Sequence, residues 1–215
     1  LPGHGFTTGG PLGGDRYALP TMARALGDLL EHLDVRPALA AGHSAGVPIL
    51  LQLACEQRIA PARIVGFNAA LVPPPQLYLS LIAPLLGAIV ERDIVAESGA
   101  WLAGATRIVD VMLSSSGTTL DADALARYRW LCTKPEHVHA ALTMMSRWDL
   151  PRLLRDAVTL RTPVRIIAGR RDRWVPPDSL SRVVDRLPSA EIVVEDAGHL
   201  LPEERPDLVL RELQL

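Results

Sequence analysis

The stretch Ala38-Leu39-Ala40-Ala41-Gly42-His43-Ser44-Ala45-Gly46-Val47-Pro48-Ile49-Leu50-Leu51-Gln52-Leu53-Ala54-Cys55 decides the fold. It opens on a short apolar run, Ala38 to Ala41, of the kind a buried strand requires. It closes on Val47 to Cys55, apolar nearly all round, as a helix packed inside a domain would be. Between them G-x-S-x-G, with Ser44 at its centre, falls at a strand-to-helix turn, the context in which the pattern presents a strained, exposed serine. The glycines two residues either side of Ser44 are expected to let backbone approach backbone without side chains between. Such a turn lifts the Ser44 hydroxyl above the sheet edge. It also sets the Ala45 amide at a helix N-terminus, where it can donate to a developing oxyanion. An ordinary glycine-rich turn is the plainer reading of the same five residues, so the partners decide.

Working outward, helical spacing appears at Met22, Ala25, Leu26, Leu29, Leu30 and Leu33, with Thr21 as the expected N-cap. Ile64 to Phe67, Val164 to Ala168 and Ile192 to Val194 are β-branched or apolar runs of strand length. Ser179 to Leu187 and Pro206 to Leu213 read as helices. Strands alternating with helices predict an α/β domain: a mainly parallel sheet with helices on both faces. From about Leu71 to Arg161 that rhythm breaks. The segment opens with Pro73-Pro74-Pro75, and helical stretches follow at Leu77 to Val90, Gly99 to Leu113, Asp121 to Leu131 and Pro135 to Trp148, with no convincing strand. The expected organisation is a core over 1–70, a helical lid inserted over 71–161, and the core continued over 162–215. Leu1-Pro2-Gly3-His4-Gly5 reads as the middle of a loop and lacks an initiator methionine, so the true N-terminus is expected upstream.

A serine nucleophile needs a base to take its proton and an acid to orient that base. Asp172 follows the strand Val164 to Ala168, and His199 follows the strand Ile192 to Val194, so both are expected at the carboxyl edge of the sheet. Taken singly, Asp172 reads equally as a helix cap or surface carboxylate, and His199 as a solvated loop histidine. The order Ser44, Asp172, His199, each at a strand end, makes them the candidate nucleophile, acid and base. Asp196 and Glu195, close to His199 on its own loop, are weaker candidates for the acid. His43 flanks the nucleophile, but neighbouring side chains at a strand end point apart, which makes it a poor base; it is kept as a candidate substrate contact. His137 and His139 are two apart in a helical stretch and face different sides, so no metal pair is expected. His4 reads as a pocket or turn residue and His32 as a surface residue near a helix end. The lid is rich in leucine and methionine and carries Trp101, Trp130 and Trp148. Trp101, Met144, Met145 and Trp148 are its candidate contacts to an apolar substrate, with core packing the alternative for each.

Composition bounds the partners. The 215 residues carry a formal net charge of −2 and are 48% hydrophobic. That is enough chain for one sizeable core, with no electrostatic case for nucleic acid or an anionic membrane. Two cysteines, Cys55 and Cys132, are too few for a disulfide framework or zinc site and fit a reducing, cytoplasmic compartment. The most apolar run, Leu77 to Val90, contains Pro84 and Gly87 and is too short to span a bilayer.

Together the elbow at Ser44, Leu1-Pro2-Gly3-His4-Gly5-Phe6-Thr7, Gly169-x-x-Asp172-x-x-Val175-Pro176 and Gly198-His199 followed by Glu203-x-x-Pro206 resemble the α/β-hydrolase superfamily. More narrowly, Ile64-Val65-Gly66-Phe67-Asn68-Ala69-Ala70-Leu71 and Thr143-Met144-Met145-Ser146-Arg147-Trp148-Asp149-Leu150 resemble the magnesium-chelatase accessory proteins of bacteriochlorophyll biosynthesis. The triad points to an acyl-enzyme hydrolase of an ester, the lid to a small apolar substrate, and no cofactor is expected. The superfamily resemblance implies a loop upstream of Leu1 that donates the second oxyanion-hole amide. The narrower one implies a photosynthetic bacterium and a supporting role near magnesium insertion, with a tetrapyrrole or magnesium-chelatase subunits as partners. No G-x-x-x-x-G-K phosphate loop is present to drive insertion itself. Two functions therefore stand as expectations: a serine hydrolase, and a non-hydrolytic accessory protein that binds pigment or chelatase.

Overall fold

The computed structural model describes residues 1–8, 15–72, 97–98, 100–101 and 104–214. Four strands, β1 (Leu39–His43), β2 (Arg63–Phe67), β3 (Val164–Gly169) and β4 (Ala190–Glu195), form one sheet in the order β1-β2-β3-β4. Every neighbouring pair is parallel. The strands are short and apolar because both faces are covered, and the pleat divides their side chains between the two. Ile64, Val164, Ile166 and Ala168 enter the larger core cluster with residues of α1 (Leu19–His32), α2 (Gly46–Cys55) and α7 (Pro177–Val184). Val65, Phe67 and Ile167 point the other way, onto Leu201 of the short α8 (Leu201–Glu204) and Leu208 of α9 (Pro206–Glu212). Ile64, Ile166, Ile167, Leu201 and Leu208 are fully buried, each side chain worth roughly 1.5–3 kcal/mol of hydrophobic free energy.

The strands run a residue or two beyond the apolar runs that announce them, since main-chain pairing continues through Gly42-His43 and through Gly169. At α1 the expectation fails in detail. The helix begins at Leu19 after Ala18, with Pro20 in its first turn, so Thr21 is no cap. Proline's fixed φ starts the helix without a capping hydroxyl. Leu29 and Leu33 of its apolar set lie exposed.

Between β2 and β3 the described residues contain helices and no strand: α3 (Ile108–Ser115), α4 (Ala122–Cys132), α5 (Pro135–Arg147) and α6 (Leu150–Ala157). Pro73 to Pro75 and the apolar run Leu77 to Val90 lie outside the described residues, as does part of the stretch 99–113. Asp121 caps α4 by accepting from the Ala124 amide at 2.7 Å. Like the short α8, helix α6 carries no expectation from the sequence. Leu150, Leu153, Leu154 and Ala157 fall at i, i+3, i+4 and i+7, Asp149 caps it through the Arg152 amide at 3.0 Å, and Pro151 sits in its first turn. Leu153 is buried in the larger core cluster and Leu150 and Leu154 pack against it, so α6 belongs physically with α2 and the sheet. Among the described residues no helix is long and apolar enough to cross a membrane.

Candidate active site

Ser44 follows β1 directly and has φ of 49°, in the left-handed region that costs a non-glycine residue about 1–3 kcal/mol. Its amide donates to the Phe67 carbonyl at 2.9 Å, and its own carbonyl accepts from Val47 at 3.2 Å and Ala70 at 3.1 Å. The turn is thereby pinned to the loop after β2, which offsets the strain. A side chain at Gly42 would meet the backbone of Gly46 at 2.8 Å, so there glycine is required. The mirror expectation for Gly46 does not hold: a Cβ there meets nothing among the described residues. The Ala45 amide, at the mouth of α2, finds no hydrogen-bond acceptor among the described residues and is free to donate outward.

Three residues past β3, the Asp172 carboxylate is wholly buried. Its Oδ1 accepts from the Trp174 and Val175 amides, each at 2.8 Å. Its Oδ2 lies 2.8 Å from His199 Nδ1, and His199 Nε2 lies 3.0 Å from Ser44 Oγ. A carboxylate oxygen can only accept, so Nδ1 carries the proton and Nε2 is left as acceptor for the Ser44 hydroxyl. The chain Ser44–His199–Asp172 is thus oriented to draw a proton from the serine, with the resulting imidazolium facing a buried negative charge.

Two supports around this chain left little trace in the sequence. Asn68, the first residue after β2, is buried with φ of 47° and donates through Nδ2 to Asp172 Oδ2 at 2.5 Å. The loop after α3 wedges between the acid and base loops. The Ser116 carbonyl accepts from both Arg173 and His199 amides at 3.3 Å, and Thr118 Oγ1 accepts from the Leu200 amide at 2.9 Å. No apolar period or turn signature marks contacts between residues so far apart along the chain. The hints are Gly117, whose φ is 77°, and Gly198, where a side chain would collide with the backbone of Gly117 and Thr118.

His43 is engaged by the base loop. Its Nε2 donates to the His199 carbonyl at 2.8 Å, bracing the base loop from within. Burial, then the neighbouring His199, lowers its pKa from the ordinary 6.5 to about 4, so it stays neutral. Met144 is buried in the larger core cluster, and Met145 and Trp148 pack against that cluster. Trp148 Nε1 also donates to the Tyr17 carbonyl at 2.9 Å. Trp101 is 71% exposed. Among the described residues none of these four shares a hydrogen bond with Ser44, His199 or Asp172. Asp196 is exposed and paired with Arg171, and Glu195 ends β4 facing Arg211 at 3.8 Å; neither joins His199. His137 stacks edge-on against His4 at 5.3 Å and His139 against Tyr17 at 5.6 Å, on different sides of α5. Among the described residues no group of His, Cys, Asp or Glu could hold a metal ion.

The model of the alpha/beta hydrolase family matches residues 1–212. The chain is 36% identical to the magnesium-chelatase 30 kDa subunit of Rhodobacter capsulatus, over 96% of its own length and 72% of that protein. Among solved structures it resembles a mutant haloalkane dehalogenase DatA of Agrobacterium tumefaciens, with a TM-score of 0.74 at 17% identity, covering 99% of this chain and 76% of that one. An esterase of Exiguobacterium antarcticum gives a TM-score of 0.71 at 15% identity, covering 98% and 76%. At such identities the two solved structures speak for the fold alone.

Proposed function

This chain belongs to the α/β-hydrolase family, and from that premise we propose that it hydrolyses an ester or related acyl bond of an apolar substrate through an acyl-enzyme on Ser44. The observation that carries the reading is the unbroken hydrogen-bonded chain from Ser44 Oγ through His199 to buried Asp172. In the first half-reaction Ser44 Oγ attacks the acyl carbon while its proton passes to His199 Nε2. The tetrahedral oxyanion forms against the Ala45 amide, and on its collapse the leaving alcohol departs with the proton from His199. In the second, His199 takes a proton from water, the hydroxide adds to the acyl carbon, and the acid leaves as Ser44 regains its proton. Asp172 holds the imidazole tautomer throughout. The helices α3 to α5 act as a lid, with substrate entering beneath them. No metal and no cofactor takes part in this scheme.

A second reading draws on the 36% identity to a magnesium-chelatase subunit: the chain serves magnesium insertion in bacteriochlorophyll synthesis by binding a tetrapyrrole or other chelatase subunits. Such a role suits the cytoplasm. One experiment separates the two. The protein is titrated with magnesium protoporphyrin and its methyl ester while tryptophan fluorescence and turnover are followed, and nitrophenyl esters are assayed alongside. Ester cleavage that vanishes in Ser44→Ala is the expected result. Saturable quenching by pigment with no turnover of any ester would favour the binding role instead.

A further inference from the structure

We infer that Asn68 is a positioning residue for the Asp172–His199 pair, fixing the carboxylate oxygen that His199 uses; this rests on the hydrolase reading of Ser44. Asp172 Oδ2 takes only two described donors, His199 Nδ1 at 2.8 Å and Asn68 Nδ2 at 2.5 Å, while Oδ1 is held by two backbone amides. Four donors on one carboxylate leave it no rotation, so the imidazole meets a stationary oxygen.

The orientation of the Asn68 amide follows from chemistry. Nδ2 faces two acceptors, Asp172 Oδ2 and the Gly198 carbonyl at 3.3 Å, and flipping the amide would set oxygen against oxygen at both. Through that one nitrogen the residue after β2 reaches both the acid loop and the residue preceding His199. The cost of the arrangement is visible: Asn68 Oδ1 is buried with no partner among the described residues. A turn residue needed only for its φ of 47° would be served by glycine, without burying an orphan amide oxygen. The side chain is therefore retained for what Nδ2 does. Main-chain bonds place it, since the Asn68 amide donates to the Ile167 carbonyl at 2.8 Å.

Two variants separate positioning from turn-making. Asn68→Gly keeps the backbone conformation and removes the donor. Asn68→Asp keeps the shape and sets a second carboxylate against Asp172. Each is compared with wild type by the rate of fluorophosphonate labelling of Ser44 across pH, by the low-field proton resonance of His199 Nδ1–H, and by thermal melting. Asn68→Gly should slow labelling by roughly tenfold or more and move the resonance, because Oδ2 then serves His199 alone. Asn68→Asp should add a titration to the labelling profile, since the two carboxyls share one proton at low pH and repel each other once it is lost. A folded Asn68→Gly protein whose labelling rate and resonance both match wild type would reduce Asn68 to a turn residue and overturn the inference. If wild type itself fails to label, the hydrolase reading falls, and the His199 resonance still decides the role of Asn68.

Discussion

Ser44 stays in a strained conformation because its amide and carbonyl are both engaged by the strand and loop beside it, and the strain aims Oγ at His199. At this scale the acid is the sharpest test. Asp172→Asn should cut ester turnover by about four orders of magnitude, the effect a wrong histidine tautomer has in a serine–histidine–aspartate site. Asp196→Asn, which removes only an exposed partner of Arg171, should change it less than about threefold. Steady-state kinetics of the two variants checks both, and the reverse ranking would place the acid on the wrong loop. A second expectation concerns pH. His43 is held at about 4 by burial and His199, whereas in the unfolded chain it returns to the ordinary 6.5. Between those values the unfolded chain binds the proton and the native protein does not, so stability falls as pH drops from 6.5 toward 4 and is flat above. His137, lowered to about 4 by burial and then by His4, acts in the same direction. Thermal midpoints should decline across that window, and His43→Gln should flatten part of the decline. An unchanged slope in His43→Gln would contradict the assignment.

Among the elements, the four strands and the order of the three polar residues were readable because a parallel sheet covered on both faces writes its strands as plain apolar runs. The ends were not readable, since pairing carries β1 and β3 past their apolar residues into glycine. Helix α6 escaped because eight residues show barely two turns of periodicity. The wedge of 115–119 escaped for another reason: its partners at Arg173, His199 and Leu200 lie far along the chain and are met through backbone. Gly117 tests that wedge. With φ of 77° and a prospective Cβ driven into the Arg171 carbonyl, Gly117→Ala must displace the strand of chain that carries the acid. It should lower the unfolding free energy by about 2 kcal/mol or more and reduce turnover more than tenfold. Denaturant unfolding and ester kinetics read the two effects; a variant as stable and active as wild type would show the insert to be independent of the acid loop.

Across the whole molecule the site is a meeting of four strand ends and the loop after α3; the ends of β1, β3 and β4 were legible in the sequence, and that of β2, with Asn68, was not. Asn68 and the inward turn of His43 depend on parallel register: Phe67 and Ile167 are paired, which brings residue 68 beside the loop of Asp172. Side-chain composition carries no such information, and for the same reason an apolar residue such as Met144 looks alike whether it lines a pocket or fills a core. Whether this arrangement activates Ser44 can be measured without knowledge of the substrate. The protein is treated with a fluorophosphonate and the adduct is located by mass spectrometry of its peptides. One adduct is expected, on Ser44, absent from folded Ser44→Ala and strongly slowed in Asp172→Asn. An unlabelled wild-type protein, or equal labelling of wild type and Ser44→Ala, would contradict it.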